Sequence, residues 1–148
     1  MPNFLRDCNG PGWEDKLLAK NIRINALLPS NETTAGNVTY SADQMLTGIL
    51  VRDPNGASRA DIFPTAAQIV AALAAKFGTA AVGMRFEFIL CNNADAAETI
   101  TMTLGTGMTT AITGGTQTSA AIGQNSTKRF AVHVTNVTPG SEAVVLYA

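Results

Sequence analysis

Apolar and polar positions alternate through much of residues 83–148. The segment 84–91 shows this best, with Met, Phe, Phe and Leu at the even positions and Arg, Glu, Ile and Cys between them. Because strand side chains point to opposite faces in turn, a period of two predicts strands with one buried face. About six strands result, at the roughly 8–12-residue spacing that is typical of a sandwich or barrel. They are predicted at 84–91, 99–104, 109–113, 116–122, 129–135 and 143–147.

One helix is predicted before these strands, at about residues 66–76. Thr65 and Gln68 have the spacing of a capping box, in which each side chain bonds the other residue's backbone amide. Apolar residues then recur at helical intervals, and Gly78 stands where a left-handed C-cap belongs. These signals agree at both ends of the segment, so they predict a complete amphipathic helix.

Shorter signals lie between residues 36 and 56. Ser41 and Gln44 repeat the capping-box spacing and predict a helical turn. The run Ile-Leu-Val at 49–51 predicts a buried strand. The Asp-Pro-Asn-Gly sequence at 53–56 predicts a tight turn, because proline fixes φ and Asn-Gly accepts positive φ.

Residues 1–35 differ from the rest of the chain. They hold the only tryptophan and a mixed cluster of charges, with too few apolar residues for a core of their own. We therefore interpret them as an N-terminal arm that precedes one domain at 36–148. The apolar residues of the arm need a surface to lie on and are its candidate partner-binding residues: Phe4, Leu5, Trp13, Leu17, Leu18, Leu27 and Leu28.

The predicted fold is therefore mainly β. It is an antiparallel β-sandwich, jelly-roll-like, with one short helix at about 66–76 and the N-terminal arm at 1–35. The 148 residues are enough for one domain.

Composition then limits what the surface of this domain can be. The chain is 46% hydrophobic and only 14% charged, against roughly 25% charged in ordinary soluble proteins. Its 18 threonines and 23 alanines take the place of the missing charges. Much of the surface is therefore expected to be neutral and hydroxyl-rich, or buried against other chains.

The charge and hydropathy patterns also exclude several classes of partner. The formal net charge of −1 leaves no electrostatic basis for binding nucleic acid. The longest apolar run, near residues 69–75, is too short to span a bilayer, so membrane insertion is not expected. The first residues show no charged segment followed by an apolar one, and we predict neither a secretory signal nor a transit peptide.

Candidate chemistry is sparse. The single histidine, His133, lies off the predicted core face, and Gly105-Thr106-Gly107 lacks the third glycine and the helix of a nucleotide loop, so it predicts a hairpin. A disulfide between Cys8 and Cys91 and two free thiols both remain open, the second being simpler. We predict no enzyme, no cofactor, and no catalytic, cofactor-binding or metal site. Five carboxylates are interpreted as turn and cap residues, since they show no calcium-loop spacing: Asp43, Asp53, Asp61, Asp95 and Glu98.

A further charged group brackets the 53–56 turn. Arg52 and Asp53 precede it, and Arg59 and Asp61 follow it. Two interpretations stay open at this point, a solvated turn and an ion-pair cluster between subunits, and the first is favoured.

The chain resembles β-domains of structural proteins from large DNA viruses and phages, namely minor capsid, decoration and fibre-head proteins. The resemblance covers residues 36–148 and rests on patterned segments without catalytic motifs. It implies a β-sandwich or jelly roll, commonly trimeric, that builds or decorates a virion, and it implies no site residues. The segments that carry it are Gly36–Tyr40, Gly48–Gly56, Asp61–Ala66, Phe86–Leu90, Asn92-Asn93, Ile100-Thr101, Gly105–Gly107, Phe130–Val132 and Thr135–Val137.

The leading hypothesis is a non-enzymatic viral structural protein, a minor capsid, vertex or surface-fibre component. It would form a homotrimer, bind other capsid proteins, be made in the host cytoplasm and reside in the virion. The alternative is a receptor- or carbohydrate-binding fibre head, which would need exposed aromatic residues. A small enzyme is the weakest hypothesis and requires a carboxylate near His133.

Overall fold

The computed structural model describes residues 29–111 and 121–148. In this part of the chain 39% of the residues are strand and 15% are helix, which confirms the mainly-β prediction. The elements, in chain order, are β1 (Ser30–Glu32), α1 (Ala42–Leu46), β2 (Ile49–Arg52), β3 (Arg59–Ile62), α2 (Ala66–Phe77), β4 (Arg85–Asn92), β5 (Ile100–Thr103), β6 (Met108–Thr110), β7 (Thr127–Asn136) and β8 (Ala143–Tyr147).

Six of the strands form one mixed sheet in the order β1-β2-β4-β7-β8-β6. The β4–β7 and β7–β8 pairs are antiparallel, whereas β1–β2, β2–β4 and β6–β8 are parallel. An antiparallel sandwich is therefore not confirmed. The sequence pattern could not predict this, because side chains alternate in the same way in parallel and antiparallel pairs. The two kinds of pair differ in the connections between their strands. Here α1 lies in the crossover from β1 to β2, and α2 lies in the crossover from β2 to β4.

A smaller parallel pair, β3 with β5, forms the second sheet. It is extended on one side by a bridge between Thr39 and Ile62, and on the other by a bridge between Ile100 and Ile122. Ile122 is the described end of the strand predicted at 116–122. Most of that prediction lies outside the described residues.

Both helices begin as their sequences predict. Ser41 caps α1 and Thr65 caps α2, and in each case the capping box is complete. Gly78 ends α2 in the left-handed conformation with φ of 79°. The predicted helix at 66–76 is thus confirmed as α2. The helical turn predicted after Ser41 is the shorter helix α1.

The core lies between the large sheet, the small sheet and the two helices. Three phenylalanines mark its centre: the Phe63 ring meets Phe88 edge-on at 5.8 Å and Phe130 edge-on at 5.3 Å between ring centroids. Phe88 and Phe130 are direct cross-strand partners on the inner face of the large sheet, while Phe63 directly follows β3. The inner residues of β4, β5 and β7 are those that the alternation predicts to be buried.

The Gly105-Thr106-Gly107 segment does not form the predicted hairpin. Its two flanking strands belong to different sheets, since β5 pairs with β3 and β6 pairs with β8. The segment instead passes close to the start of α2, where Ala66 N donates to Thr106 O at 2.8 Å. A side chain at Gly105 would lie 2.2 Å from the Pro64 carbonyl oxygen, so this crossing needs glycine for space.

The first described strand falls within the range assigned to the N-terminal arm. β1 pairs with β2 in the large sheet, with Ser30 opposite Leu50 and Glu32 opposite Arg52. The domain therefore includes at least these residues as an edge strand.

Candidate functional site

The seven apolar arm residues proposed to bind partners all lie outside the described residues. They are Phe4, Leu5, Trp13, Leu17, Leu18, Leu27 and Leu28. Cys8 also lies outside. Cys91, which is half-buried on β4, is a free cysteine, as the interpretation with two free thiols expects. The described chain offers three other places with chemical content: the outer face of the large sheet, a buried ion pair, and a group of carboxylates.

The outer face is the side of the large sheet opposite the core. Its apolar side chains are exposed or half-buried, and Ile49, Ile89 and Tyr147 are exposed by 41, 38 and 44%. Ile49 and Ile89 are direct neighbours across the β2–β4 pair. The apolar members of the outer face are Ile49, Val51, Ile89, Cys91, Ala131, Val145 and Tyr147.

Charged side chains accompany these apolar residues on the outer face. Arg129 on β7 forms an exposed ion pair with Glu87 on β4. Arg85 lies directly opposite His133, and Val145 lies on the other side of that histidine. Within the described chain no carboxylate oxygen lies within 4.0 Å of His133. The arrangement that the small-enzyme hypothesis requires is therefore not seen at this position.

Two of the four charged residues around the 53–56 turn form a buried ion pair within the chain, and the other two, Asp53 and Arg59, are half-buried. Arg52 and Asp61 are fully buried within the chain, and Arg52 Nε donates to Asp61 Oδ2 at 2.9 Å. The Arg52 guanidinium also donates to the carbonyl oxygens of Thr34, Asp53 and Gly36 at 2.9, 2.7 and 2.6 Å. For Arg52 and Asp61 both earlier interpretations are wrong, because these two side chains pair with each other inside the chain. The turn itself is exposed at residues 55–58.

The buried pair has a third member in Tyr40. Its hydroxyl donates to Asp61 Oδ2 at 3.1 Å, and the Val38 amide donates to Asp61 Oδ1 at 3.0 Å. Burial, with the negative charge of Asp61 beside it, raises the pKa of Tyr40 well above its ordinary value. Tyr40 is 2% exposed, so it cannot serve as a stacking platform for a sugar. Of the two tyrosines, only Tyr147 is available on the surface.

Three of the five carboxylates that the sequence scatters over turns come together in the fold. One oxygen each of Asp53, Asp95 and Glu98 lies within 4.8 Å of the other two. Asp53 is half-buried, Asp95 is exposed, and Glu98 is only 5% exposed. Asp43 is exposed on α1, and Asp61 is the partner of Arg52.

Sequence reasoning missed this carboxylate group because it assumed antiparallel pairing. Asp53 directly follows β2, and the loop with Asp95 and Glu98 follows β4. Since β2 and β4 are parallel, with Arg52 opposite Asn92, both strands end at the same edge of the sheet. A prediction of that parallel pair would have brought the three residues together.

No helix in the described part of the chain has the length and apolar character needed to cross a lipid bilayer. Comparison of the chain with protein-family models, with curated proteins and with solved structures gives no match.

Proposed function

We propose that this protein is a non-enzymatic structural protein of a virion, a minor capsid, vertex or surface-fibre component. It assembles with copies of itself, as a homotrimer, and with other capsid proteins. The resemblance of residues 36–148 to virion β-domains supports the viral setting. The observation that carries the assembly role is the outer face of the large sheet, where apolar side chains remain accessible in a charge-poor chain.

The outer face combines accessible apolar side chains with charged ones. Contiguous exposed apolar residues are uncommon on monomers and mark interaction sites when charged residues surround them. Ile49 and Ile89 form an aliphatic pair, and the Glu87–Arg129 ion pair lies beside it. Burying such a face against another chain would stabilise the assembly by roughly 25 cal/mol for each Å² of apolar surface removed from water.

A second copy of this chain is the occupant that fits best. Glu87 and Arg85 give the outer face charges of both signs, so that a copy can offer an opposite charge to each. The two edge strands of the large sheet, β1 and β6, are only three residues long. Short edges discourage pairing with foreign strands, which favours association through the face of the sheet.

Of the finer fold prediction, we retain a two-layer sandwich. Its support is the shared core, in which Phe63 of the smaller layer contacts Phe88 and Phe130 of the large sheet. The antiparallel β4–β7–β8 segment is the part that a jelly roll would share. The parallel pairs of both sheets count against a complete jelly roll.

The mass of the protein in solution tests self-assembly. We expect a trimer by light scattering coupled to size-exclusion chromatography at micromolar concentration. Ile89→Lys, which places a charge in the outer face, is expected to give monomers. Val82→Lys is the matched control, because Val82 is exposed by 62% but lies outside the sheets. A monomeric parent protein, or equal effects of the two variants, would contradict assembly through this face.

The viral setting needs a separate experiment. Particles purified from the biological source that encodes this chain should contain it at a fixed copy number, measured by quantitative mass spectrometry. Cryo-electron microscopy of the same particles should then locate it at a defined capsid position. Particles that lack the chain would exclude a virion component and leave the solution assembly unaffected.

A further inference from the structure

The strongest unexplained feature is the group formed by Asp53, Asp95 and Glu98. It brings three formal negative charges together, with one oxygen of each within 4.8 Å of the others. In residues 29–111 and 121–148, no lysine or arginine nitrogen lies within 4.0 Å of these carboxylates. Mutual repulsion therefore opposes the arrangement, and the protein groups described around it supply no ion-pair partner.

A second, independent observation concerns the Glu98 side chain. Its Oε2 atom is buried and has no hydrogen-bond partner within residues 29–111 and 121–148, and the residue as a whole is only 5% exposed. A carboxylate oxygen removed from water without a hydrogen-bond donor or a positive charge beside it is costly in free energy. A buried acceptor of this kind, beside two more carboxylates, is what a bound cation would satisfy.

Hydrogen bonds hold the loop that carries Asp95 and Glu98 against the end of β2. The Asn93 amide donates to the Arg52 carbonyl at 2.8 Å, directly before Asp53. The Asn92 side chain, 2% exposed, donates to the Glu98 carbonyl at 2.9 Å. The backbone that carries the three carboxylates is thus held in place by main-chain hydrogen bonds and by a buried amide.

The three ligand atoms point to a hard cation. All three are carboxylate oxygens, which suit Ca²⁺ and Mg²⁺ and not the softer metals that prefer nitrogen or sulfur. Ca²⁺ binds oxygen at 2.3–2.6 Å, so two oxygens on opposite sides of one ion are roughly 4.6–5.2 Å apart. Oxygens within 4.8 Å of one another can therefore share a Ca²⁺ ion, whereas Mg²⁺ keeps several of its waters and is usually bound through only one or two carboxylates.

We propose that Asp53, Asp95 and Glu98 form a calcium-class cation site that joins the β2–β3 turn to the β4–β5 loop. Water and nearby carbonyl oxygens complete the coordination, as Ca²⁺ takes six to eight oxygen ligands. The ion stabilises the folded chain because the three ligands converge only after β2 and β4 pair. This site does not depend on the proposed virion role.

The experiment compares thermal unfolding of the full chain, freed of metal with a chelator, in increasing CaCl₂. We expect saturable stabilisation, a rise of about 5–10 °C in Tm at a hundredfold excess over Kd, and one ion per chain by titration calorimetry. MgCl₂ at the same concentration should give a smaller rise. KCl at matched ionic strength controls for simple screening of the carboxylates and should give almost none.

Two variants assign the effect to these residues. Asp95→Asn changes an exposed side chain and should remove most of the calcium-dependent rise without preventing folding, and Glu98→Gln should remove it if that variant folds. Asp43→Asn, an exposed carboxylate on α1, is the matched control and should keep the full rise. The proposal is overturned by no rise in CaCl₂, by an equal rise in KCl or MgCl₂, or by a full rise in Asp95→Asn.

Discussion

At the scale of single residues, Arg52 is the most consequential side chain in the described chain. It is fully buried, and its guanidinium makes four hydrogen bonds, one to the Asp61 carboxylate and three to carbonyl oxygens. The carbonyls belong to the segment after β1 and to the start of the 53–56 turn. One cation thus holds together the end of β2, the start of the domain and β3.

Removing one partner of the buried Arg52–Asp61 pair should destabilise the protein far more than removing one partner of the exposed Arg129–Glu87 pair. Arg52→Met leaves Asp61 as an uncompensated buried charge, for which we expect a loss of about 3–5 kcal/mol in the free energy of unfolding. Arg129→Met breaks the exposed pair with Glu87 and should cost below about 1 kcal/mol. Urea unfolding of both variants measures the difference. Similar losses in the two would show that the buried network is not the larger contribution.

Tyr40 predicts a pH dependence. Because its folded-state pKa is raised above the ordinary value of 10.0, the folded state holds the phenolic proton more tightly than the unfolded state. Its contribution to stability is complete below pH 10 and declines as the pH rises above it. Tyr40→Phe loses one hydrogen bond, about 1 kcal/mol at neutral pH, but should lose stability less steeply above pH 10. Parallel slopes for the two proteins in thermal unfolding between pH 8 and 11.5 would contradict this.

At the scale of elements, the connections decide how the strands pair. The helices α1 and α2 lie in crossovers that make β1, β2 and β4 parallel neighbours. The segment between β5 and β6 passes from one sheet to the other against the Pro64 backbone. That close approach fixes the start of α2 relative to both sheets, since Ala66 N donates to Thr106 O.

Gly105→Ala tests this approach. Its Cβ would lie 2.2 Å from the Pro64 carbonyl oxygen, and backbone atoms cannot yield as a flexible side chain does. We expect a loss of about 3 kcal/mol, at the upper end of the cost of overpacking. Gly123→Ala is the control, because among the described residues its Cβ would meet only Ser126 Oγ, at 3.8 Å. This substitution should be neutral or slightly stabilising. Equal stabilities in chemical denaturation would show that the crossing can relax.

At the scale of the whole molecule, the low charge of the chain and the apolar side chains of the outer face both favour the proposed assembly. Outward side chains on β2, β4 and β8 include apolar residues that an isolated chain would expose to water. If the chain functions as an assembly, its stability must depend on protein concentration. We expect Tm to rise by several degrees between 1 and 100 µM for the parent protein and to stay constant for Ile89→Lys. A constant Tm in the parent would count against an obligate assembly.

The sequence by itself determined the local structure. Capping boxes at Ser41 and Thr65 and the glycine after α2 depend on neighbouring residues only, so both helices begin where their motifs predict. The alternation in β4 and β7 likewise identified which side chains are buried, because strand periodicity is a local property. The turn at 53–56 could be predicted for the same reason, and Asn55 and Gly56 have the positive φ that their residue types favour.

Only the tertiary structure decided strand pairing and what the pairing brings together. Alternation does not distinguish parallel from antiparallel neighbours, and therefore β2 and β4 could not be placed side by side from their sequences. That single pairing puts Asp53 next to the loop of Asp95 and Glu98. The burial of Arg52 with Asp61 also depends on the tertiary structure, because β2 belongs to the large sheet and β3 to the small one. Contacts between residues distant in sequence arise from how the connections fold, and no local pattern encodes them.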